Sequence, residues 1–135
     1  MTRELINSER LHRGVHYHYA AAATGETLVF TAGACPLDGD GRVVAPGDIP
    51  GQTRQALENL TIALREADCQ PDDVVKTTVF VLSSSREDLL QAWSEYERVY
   101  GADGPPSTLL GVAMLGYPEQ LVEIEAVAVR RDRRA

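Results

Sequence analysis

The sequence predicts an α+β fold in which two helices cover one face of a mixed β-sheet. Two observations support this fold: apolar strands lie near both ends of the chain, and two long segments of helical periodicity flank a β-branched strand. The element order is strands, helix, strand, helix, strands, which lets both helices pack on one side of the sheet. The other side keeps apolar residues, so we expect further copies of the chain to cover it.

The first predicted elements are two strands at residues 19–23 and 27–32. The segment Thr24-Gly25-Glu26 between them is a tight-turn signal, so we predict that it joins the strands in a hairpin. Residues 38–41, DGDG, predict a second turn. They resemble a calcium loop only weakly, because no acidic ligands follow at the required spacing.

Two helices and a central strand are predicted next. Asp48 is the expected cap of a helix over residues 50–67, whose apolar stripe consists of Ala56, Leu57, Leu60, Ala63, Leu64 and Ala67. Residues 74–82, VVKTTVFVL, are β-branched and predict a central strand. Serines 83–85 are expected to cap a second helix over residues 86–100, whose stripe consists of Leu89, Trp93, Tyr96 and Tyr100.

The last two strands are predicted within residues 105–128, PPSTLLGVAMLGYPEQLVEIEAVA, around a short turn. Glu123 and Glu125 interrupt the apolar pattern of the final strand and share one of its faces. A carboxylate buried there needs a partner or a chemical role, because desolvating an unpaired charge is costly. Two other interpretations remain open: a paired structural glutamate, or the solvated outer face of an edge strand.

Length, charge and hydropathy limit the class of protein. The chain has 135 residues, so we expect one domain over residues 1–135, and its net charge of −7 disfavours nucleic acid as a partner. The sequence contains no run of about 18 apolar residues, so we expect no membrane span. The polar N-terminus does not resemble a signal peptide, and Cys35 and Cys69 follow no metal spacing, so we expect a cytoplasmic protein with reduced thiols.

Three histidines lie close together in sequence, at His12, His16 and His18. Their spacing could suit a metal ion, but no nearby carboxylate joins them, so solvated or strand-edge histidines are favoured. We therefore expect no metal site and no cofactor. The arginines at 130, 131, 133 and 134 are interpreted as a solubilising tail rather than a binding patch.

Several motifs resemble the RidA (YjgF) family of reactive-intermediate deaminases. They are TAGACPLD at residues 31–38, QTRQALENL at 52–60, DVVKTTVFV at 73–81, VAML at 112–115 and VEIEAVA at 122–128. The resemblance extends over about residues 19–128. It implies a chorismate-mutase-like fold, a homotrimer, and pockets for small molecules between the subunits.

The resemblance also implies the residues of the site. Glu123 matches the glutamate that orients the attacking water and shuttles protons in the family's deaminases. Tyr19 matches a pocket tyrosine, with an ordinary strand residue as the alternative. Gly33 matches the glycine that lets substrate approach the backbone.

Four positions depart from the family pattern. Ser107 stands where the family has the arginine that grips the substrate carboxylate, and Leu109 replaces a pocket cysteine. Ala32 falls where many members carry serine. Trp93 occupies a helix position that often holds a small polar residue facing the neighbouring pocket, although a core tryptophan is an equal alternative. Arg13, the nearest upstream cation, is a candidate substitute for the missing arginine if it approaches Tyr19.

These residues predict a small-molecule enzyme that hydrolyses or tautomerises an enamine, an imine or a related activated carbonyl compound, with Glu123 as general acid/base. Weak or no activity on ordinary 2-imino acids is expected, because Ser107 cannot form the charged contacts of an arginine. The alternative is a non-catalytic ligand-binding or chaperone-like trimer. Ribonuclease action is the weakest hypothesis, given the net charge of −7.

Overall fold

A four-stranded mixed sheet carries both helices. The computed structural model describes residues 3–25 and 27–130. In chain order the elements are β1 (Arg3–Ile6), β2 (Ala20–Ala23), β3 (Thr27–Phe30), α1 (Ile49–Glu66), β4 (Val74–Leu82), α2 (Arg86–Tyr100), β5 (Ser107–Val112) and β6 (Val122–Arg130), with a short 3-10 helix at Pro71–Asp73.

The sheet has the strand order β3-β6-β4-β5. β6 is antiparallel to both of its neighbours, whereas β5 runs parallel to β4. Helix residues such as Leu60 and Tyr96 form one buried cluster with Val79 of β4 and Ile124 of β6. The predicted arrangement, two helices on one face of a mixed sheet, is confirmed.

Side chains on β6 alternate between the helix-covered face and the open face of the sheet. Val122, Ile124 and Ala126 are buried, whereas Glu123 is only partly buried and Glu125 is exposed. The two glutamates therefore share a face as predicted, but the expected burial of Glu125 is wrong. The edge-strand interpretation is also wrong, because β6 lies between two other strands.

Helix α1 begins and ends within one residue of its predicted bounds. Asp48 is its N-cap, and Asp48 Oδ1 accepts a hydrogen bond of 3.0 Å from the Gly51 N–H. Most of the predicted apolar stripe is buried, with Leu60 and Leu64 fully so, but Ala63 is exposed and its place in the stripe is wrong. Local capping and periodicity thus decided this element.

Helix α2 has its predicted bounds, and Gly101 ends it with a φ of 76°. The side chain of the N-cap residue Ser85 makes no capping bond. Instead, Ser83 Oγ accepts from the Ser85 N–H and donates to Asp88 Oδ2. Ser83, one of the three serines predicted to cap the helix, therefore stabilises its N-terminus from a position before the N-cap.

The predicted hairpin between β2 and β3 is wrong. β2 pairs instead with β1, and the two form a separate antiparallel sheet. Hydrogen bonds from this N-terminal region to residues far away in the chain hold the two-stranded unit in place. Arg3 Nη1 donates to the Val74 carbonyl at 2.7 Å, and the His18 N–H donates to the Gly104 carbonyl at 3.0 Å. Tertiary hydrogen bonds have therefore overridden a local turn signal.

The second predicted turn, at residues 38–41, is present. Asp38 Oδ1 accepts from the N–H groups of Arg42 and Asp40, each at 2.9 Å. The Arg42 N–H contributes most to holding the pKa of Asp38 below its usual value. The acidic side chain thus serves the turn. Arg131, Arg133 and Arg134, from the predicted tail, lie outside the described residues.

Two stacked tyrosines of α2 give a matched test of the buried polar groups. The Tyr96 hydroxyl is 2.6 Å from Thr77 Oγ1, whereas the Tyr100 hydroxyl is buried without a hydrogen-bond partner among the described residues. Tyr96→Phe should lower the free energy of unfolding by about 1 kcal/mol, because a buried hydrogen bond is lost. Tyr100→Phe should leave it unchanged or raise it slightly. Urea unfolding at one fixed protomer concentration measures both, and a larger loss in Tyr100→Phe would contradict this assignment.

Candidate active site

The carboxylate of Glu123 lies on the open face of the sheet with both of its recorded donors on one oxygen. Its Oε1 accepts from the Cys35 thiol at 3.3 Å and from the Gln120 side-chain amide at 3.2 Å. Its Oε2 lies against Gly33, where any side chain would overlap the carboxylate. We call Gly33, Cys35, Gln120 and Glu123 the carboxylate cluster.

A short backbone bridge places the loop residues beside Glu123. The Ala34 N–H donates to the Ile124 carbonyl at 2.7 Å, and the Ile124 N–H donates back at 3.1 Å. Ala34 packs against the core opposite Ile124, so its neighbours Gly33 and Cys35 face the other way, toward Glu123. Gly33 and Glu123 are thus in contact, and their joint role in a site stays a prediction.

Cys35 is a protonated donor in this cluster. Burial, followed by the hydrogen bond and negative charge of Glu123, raises the pKa of its thiol to about 11. At neutral pH the thiol therefore stays protonated and donates a hydrogen bond to the carboxylate. In this state Cys35 is a poor nucleophile, since the thiolate is the reactive form.

A second group of predicted residues lies along β5. A pocket of about 430 Å³, here called the β5 pocket, brings together three of the positions that depart from the family pattern: Trp93, Ser107 and Leu109. Its other walls are Tyr17, Leu90 and Thr108, none of which was predicted as a site residue from the sequence. Among the described residues, none of these lining side chains is charged.

Trp93 forms a wall of the β5 pocket instead of lying inside the core. The ring is partly buried and stacks on Tyr96 with centroids 4.7 Å apart. Trp93 Nε1 donates to Glu97 Oε1 at 2.7 Å, and that oxygen also lies 2.9 Å from His16 Nδ1. Glu97 therefore ties the loop before β2 to the helix, and Tyr17 in this loop meets the Trp93 ring edge-on at 6.3 Å.

Tyr19 lies in neither of these groups. It lines a cavity of about 330 Å³ together with Arg13 and His12, next to the β1–β2 unit. Its hydroxyl donates to the His12 carbonyl at 2.6 Å. Arg13 is thus near Tyr19, as considered from the sequence. Ala32 is exposed, next to Gly33 in the chain.

The sheet separates Glu123 from Ser107 and Leu109 of the β5 pocket within one protomer, whereas Thr108 at the sheet edge points to the Glu123 face. Thr77 is paired with Ser107 on one side and with Ala126 on the other, so these three side chains share the helix-covered face. Thr77 Oγ1 donates to Ser107 Oγ at 2.7 Å on that face. Glu123 is three positions from Ala126 along β6 and points to the opposite face.

The described part of the chain shows neither a metal group nor a membrane helix. Over residues 3–25 and 27–130, no group of three or more His, Cys, Asp or Glu side chains could hold a metal ion. No helix in the same ranges is long and apolar enough to cross a bilayer. His16 contacts Glu97, and His18 Nδ1 lies 2.9 Å from the Gly104 carbonyl.

Comparison with known proteins identifies the family. A family model described as Endoribonuclease L-PSP matches residues 11–130. The chain belongs to this family, the Rid (YjgF) family. A 2-iminobutanoate/2-iminopropanoate deaminase from Salmonella typhimurium is 37% identical over 109 residues, which cover 78% of this chain and 81% of the relative.

Two solved Rid-family structures share the fold. A Rid protein from Yersinia pestis, YyfB, is 32% identical with a TM-score of 0.87, covering 96% of this chain and all 100% of its own. A YjgF-family structure from Mycobacterium tuberculosis has the same identity, 32%, and the same coverages, 96% and 100%, but a TM-score of 0.64. The predicted resemblance to RidA (YjgF) proteins is therefore confirmed at the level of family and fold.

The protonated state of Cys35 can be tested by alkylation. In a Cys69→Ser background, iodoacetamide at pH 8 should modify the native protein about a hundredfold more slowly than the urea-unfolded protein, because a pKa of about 11 leaves little thiolate. The native rate should rise with pH until the pH reaches about 11. Equal rates for the native and unfolded protein would show that Cys35 is an ordinary exposed thiol.

Proposed function

We propose that this Rid-family protein hydrolyses a neutral imine or enamine in a pocket between the subunits of a homotrimer, with Glu123 as general acid/base. The observation that carries this proposal is the Glu123 carboxylate, which has two donors on Oε1 and packs directly against Gly33, where a Cβ could not be accommodated. The Salmonella relative named as an imine deaminase supports the reaction class.

The separation of the two groups by the sheet supports a site between subunits. Glu123 and the pocket residues Ser107 and Leu109 lie on opposite faces of one protomer, so a site that contains all three needs two copies of the chain. The open face also exposes large apolar side chains: Leu28 is 58% exposed and Phe30 is 70% exposed. Such a face favours assembly, and the threefold symmetry is inferred from the family.

The proposed reaction needs only water and a proton shuttle. The water oxygen forms a bond to the imine carbon, Glu123 takes the water proton, and the C=N electron pair moves to nitrogen, which then takes the proton from Glu123. In the second step Glu123 takes the hydroxyl proton of the carbinolamine while C=O forms and C–N breaks. The proton goes to the departing nitrogen, so imine and water become carbonyl compound and ammonia.

The β5 pocket defines the class of substrate. Its lining is apolar and aromatic around Trp93 and Leu109, and the hydroxyl of Ser107 already accepts from Thr77. Lys76 Nζ donates to Thr108 Oγ1 at 2.7 Å, but from the face of the sheet opposite Ser107 and Leu109. A substrate carboxylate packed against Trp93 and Leu109 would therefore lose its hydration without pairing with a cation, which is unfavourable. A flat apolar substituent can instead pack against Trp93 and Tyr17. The substrate is therefore an uncharged imine with such a substituent.

A second candidate is a non-catalytic ligand-binding or chaperone-like trimer of the same fold. One observation favours it: Ser107 is part of a buried hydroxyl network with Thr77 and Tyr96, which serves the structure. In that case the wild-type protein would bind apolar imines without consuming them. The family's ribonuclease description is disfavoured for this chain by its net charge of −7.

A pair of imines that differ only in a carboxylate tests the proposed substrate. An amino-acid oxidase produces the 2-imino acid of phenylalanine, and a flavin amine oxidase produces the imine of phenethylamine. Semicarbazide trapping measures how fast each disappears. The protein should accelerate hydrolysis of the neutral imine at least about tenfold more than that of the 2-imino acid, since one unpaired buried charge costs more than 1.4 kcal/mol.

Ser107→Arg is the matched variant for this experiment. It adds the missing cation to the β5 pocket, so the preference should move toward the 2-imino acid. A wild-type protein that prefers the 2-imino acid would overturn the proposed substrate class. No hydrolysis of any imine, together with measurable binding of the neutral one, would favour the non-catalytic alternative.

Mixed assemblies test the site between subunits. Glu123→Gln removes the acid/base, and Leu109→Arg fills the β5 pocket, so each variant alone should be inactive. Co-expressed in equal amounts, the two should regain about one quarter of wild-type activity. Each site takes one half from each of two neighbouring subunits, and each half is intact in about half of the chains. Glu125→Gln, an exposed glutamate on the same strand, is the active control. No recovery in mixed assemblies of trimer mass would contradict a shared site.

A further inference from the structure

The hydrogen bonds of the Glu123 carboxylate are strongly asymmetric. Within residues 3–25 and 27–130, the two recorded donors, Cys35 Sγ and Gln120 Nε2, both end on Oε1. Oε2 lies against Gly33, whose missing Cβ leaves room for the carboxylate itself. Oε1 and Oε2 of Glu123 therefore have different surroundings, so the two oxygens are not equivalent as proton acceptors.

Gln120 is held so that only its amide nitrogen can face Glu123. The side chain is 1% exposed. Its Oε1 accepts from the Tyr117 N–H at 3.1 Å, and its Nε2 donates to the Val122 carbonyl at 3.1 Å as well as to Glu123. If the amide were flipped, its oxygen would face two other acceptors, the Val122 carbonyl and the Glu123 carboxylate. Its NH₂ group would face the Tyr117 N–H, which is also a donor. The network therefore fixes the amide orientation.

Cys35 is held by helix α1. Its backbone carbonyl accepts from Asn59 Nδ2 at 2.8 Å, and Asn59 Nδ2 also donates to the Leu37 carbonyl at 2.9 Å. The neighbouring bridge between Ala34 and Ile124 fixes the other side of this segment. The thiol is thus presented to Glu123 Oε1 by backbone that is tied both to the helix and to β6.

From this geometry we propose that Cys35 and Gln120 are positioning residues that hold Glu123 through Oε1, so that Oε2 is the oxygen that exchanges protons with substrate. The inference rests on the proposed function. It adds two residues that act through Glu123 and touch no substrate, and it identifies the reacting atom. Gly33 then lets the carboxylate lie close against the loop, and water and the imine reach Oε2 from the open face of the sheet.

The contact itself is tested without any substrate. In the Cys69→Ser background, the pH dependence of iodoacetamide alkylation measures the pKa of Cys35. Burial, the largest cause of the raised pKa, remains in Glu123→Gln, but the pKa should fall part of the way from about 11 toward its ordinary value, because the hydrogen bond and charge of Glu123 are removed. Glu125→Gln, two residues along the same strand, should not move it. An unchanged alkylation profile in Glu123→Gln would overturn the positioning role.

The catalytic consequence is tested with a conservative pair. Cys35→Ser keeps a hydroxyl donor for Oε1, so its kcat on the neutral imine should stay within about threefold of wild type. Cys35→Ala removes the donor, and Gln120→Met removes the amide while keeping its length. Each should lower kcat about 5- to 30-fold with KM within about twofold, since one positioning hydrogen bond is lost.

The outcomes separate this inference from the proposed function. Full activity in Glu123→Gln overturns the proposed function itself. Inactive Glu123→Gln with wild-type kcat in Cys35→Ala and Gln120→Met overturns only the positioning role. Equal losses in Cys35→Ser and Cys35→Ala also overturn it, because then the packing of sulfur matters and the donor does not. Light scattering and thermal melting confirm that each variant keeps the wild-type assembly and fold.

Discussion

The structure depends on the central position of β6, which has strands on both sides. Every second residue of β6 must pack beneath the helices, and the residues between them must point to the open face. Ile124 is therefore completely buried, whereas its neighbour Glu123 projects from the other side. A one-residue slip in register would bury the carboxylate and expose the core. The same pairing that builds the core thus also sets where the acid stands.

Local patterns in the sequence were sufficient for the helices and the long strands. Capping by Asp48, the apolar stripes and the β-branched run at β4 each depend on nearby residues, and these elements appear where expected. The N-terminal region was not predictable in this way. β1 has the sequence RELI, which lacks apolar alternation, and its unit with β2 is held by contacts to Val74 and Gly104 that lie far away in the chain.

The candidate site was predictable only in part. The motif match indicated Glu123, Gly33 and the substituted positions of the β5 pocket. The donors on Glu123 could not be found from spacing, because Cys35 reaches it through an isolated bridge and Gln120 through a turn. Tyr17 was missed because its approach to Trp93 depends on the docking of the loop on α2.

The sheet also separates the positions where substitutions can change ligand preference from the positions that surround Glu123. Ser107 and Leu109 share no recorded hydrogen bond with the carboxylate cluster over the described residues, and a layer of backbone lies between them. Under the proposed function, substitutions that alter ligand choice can therefore accumulate around these two residues while Glu123 keeps its hydrogen bonds. A gene duplicate of such a chain could then acquire new ligand preferences by changes in the pocket alone, with the proposed acid/base inherited unchanged.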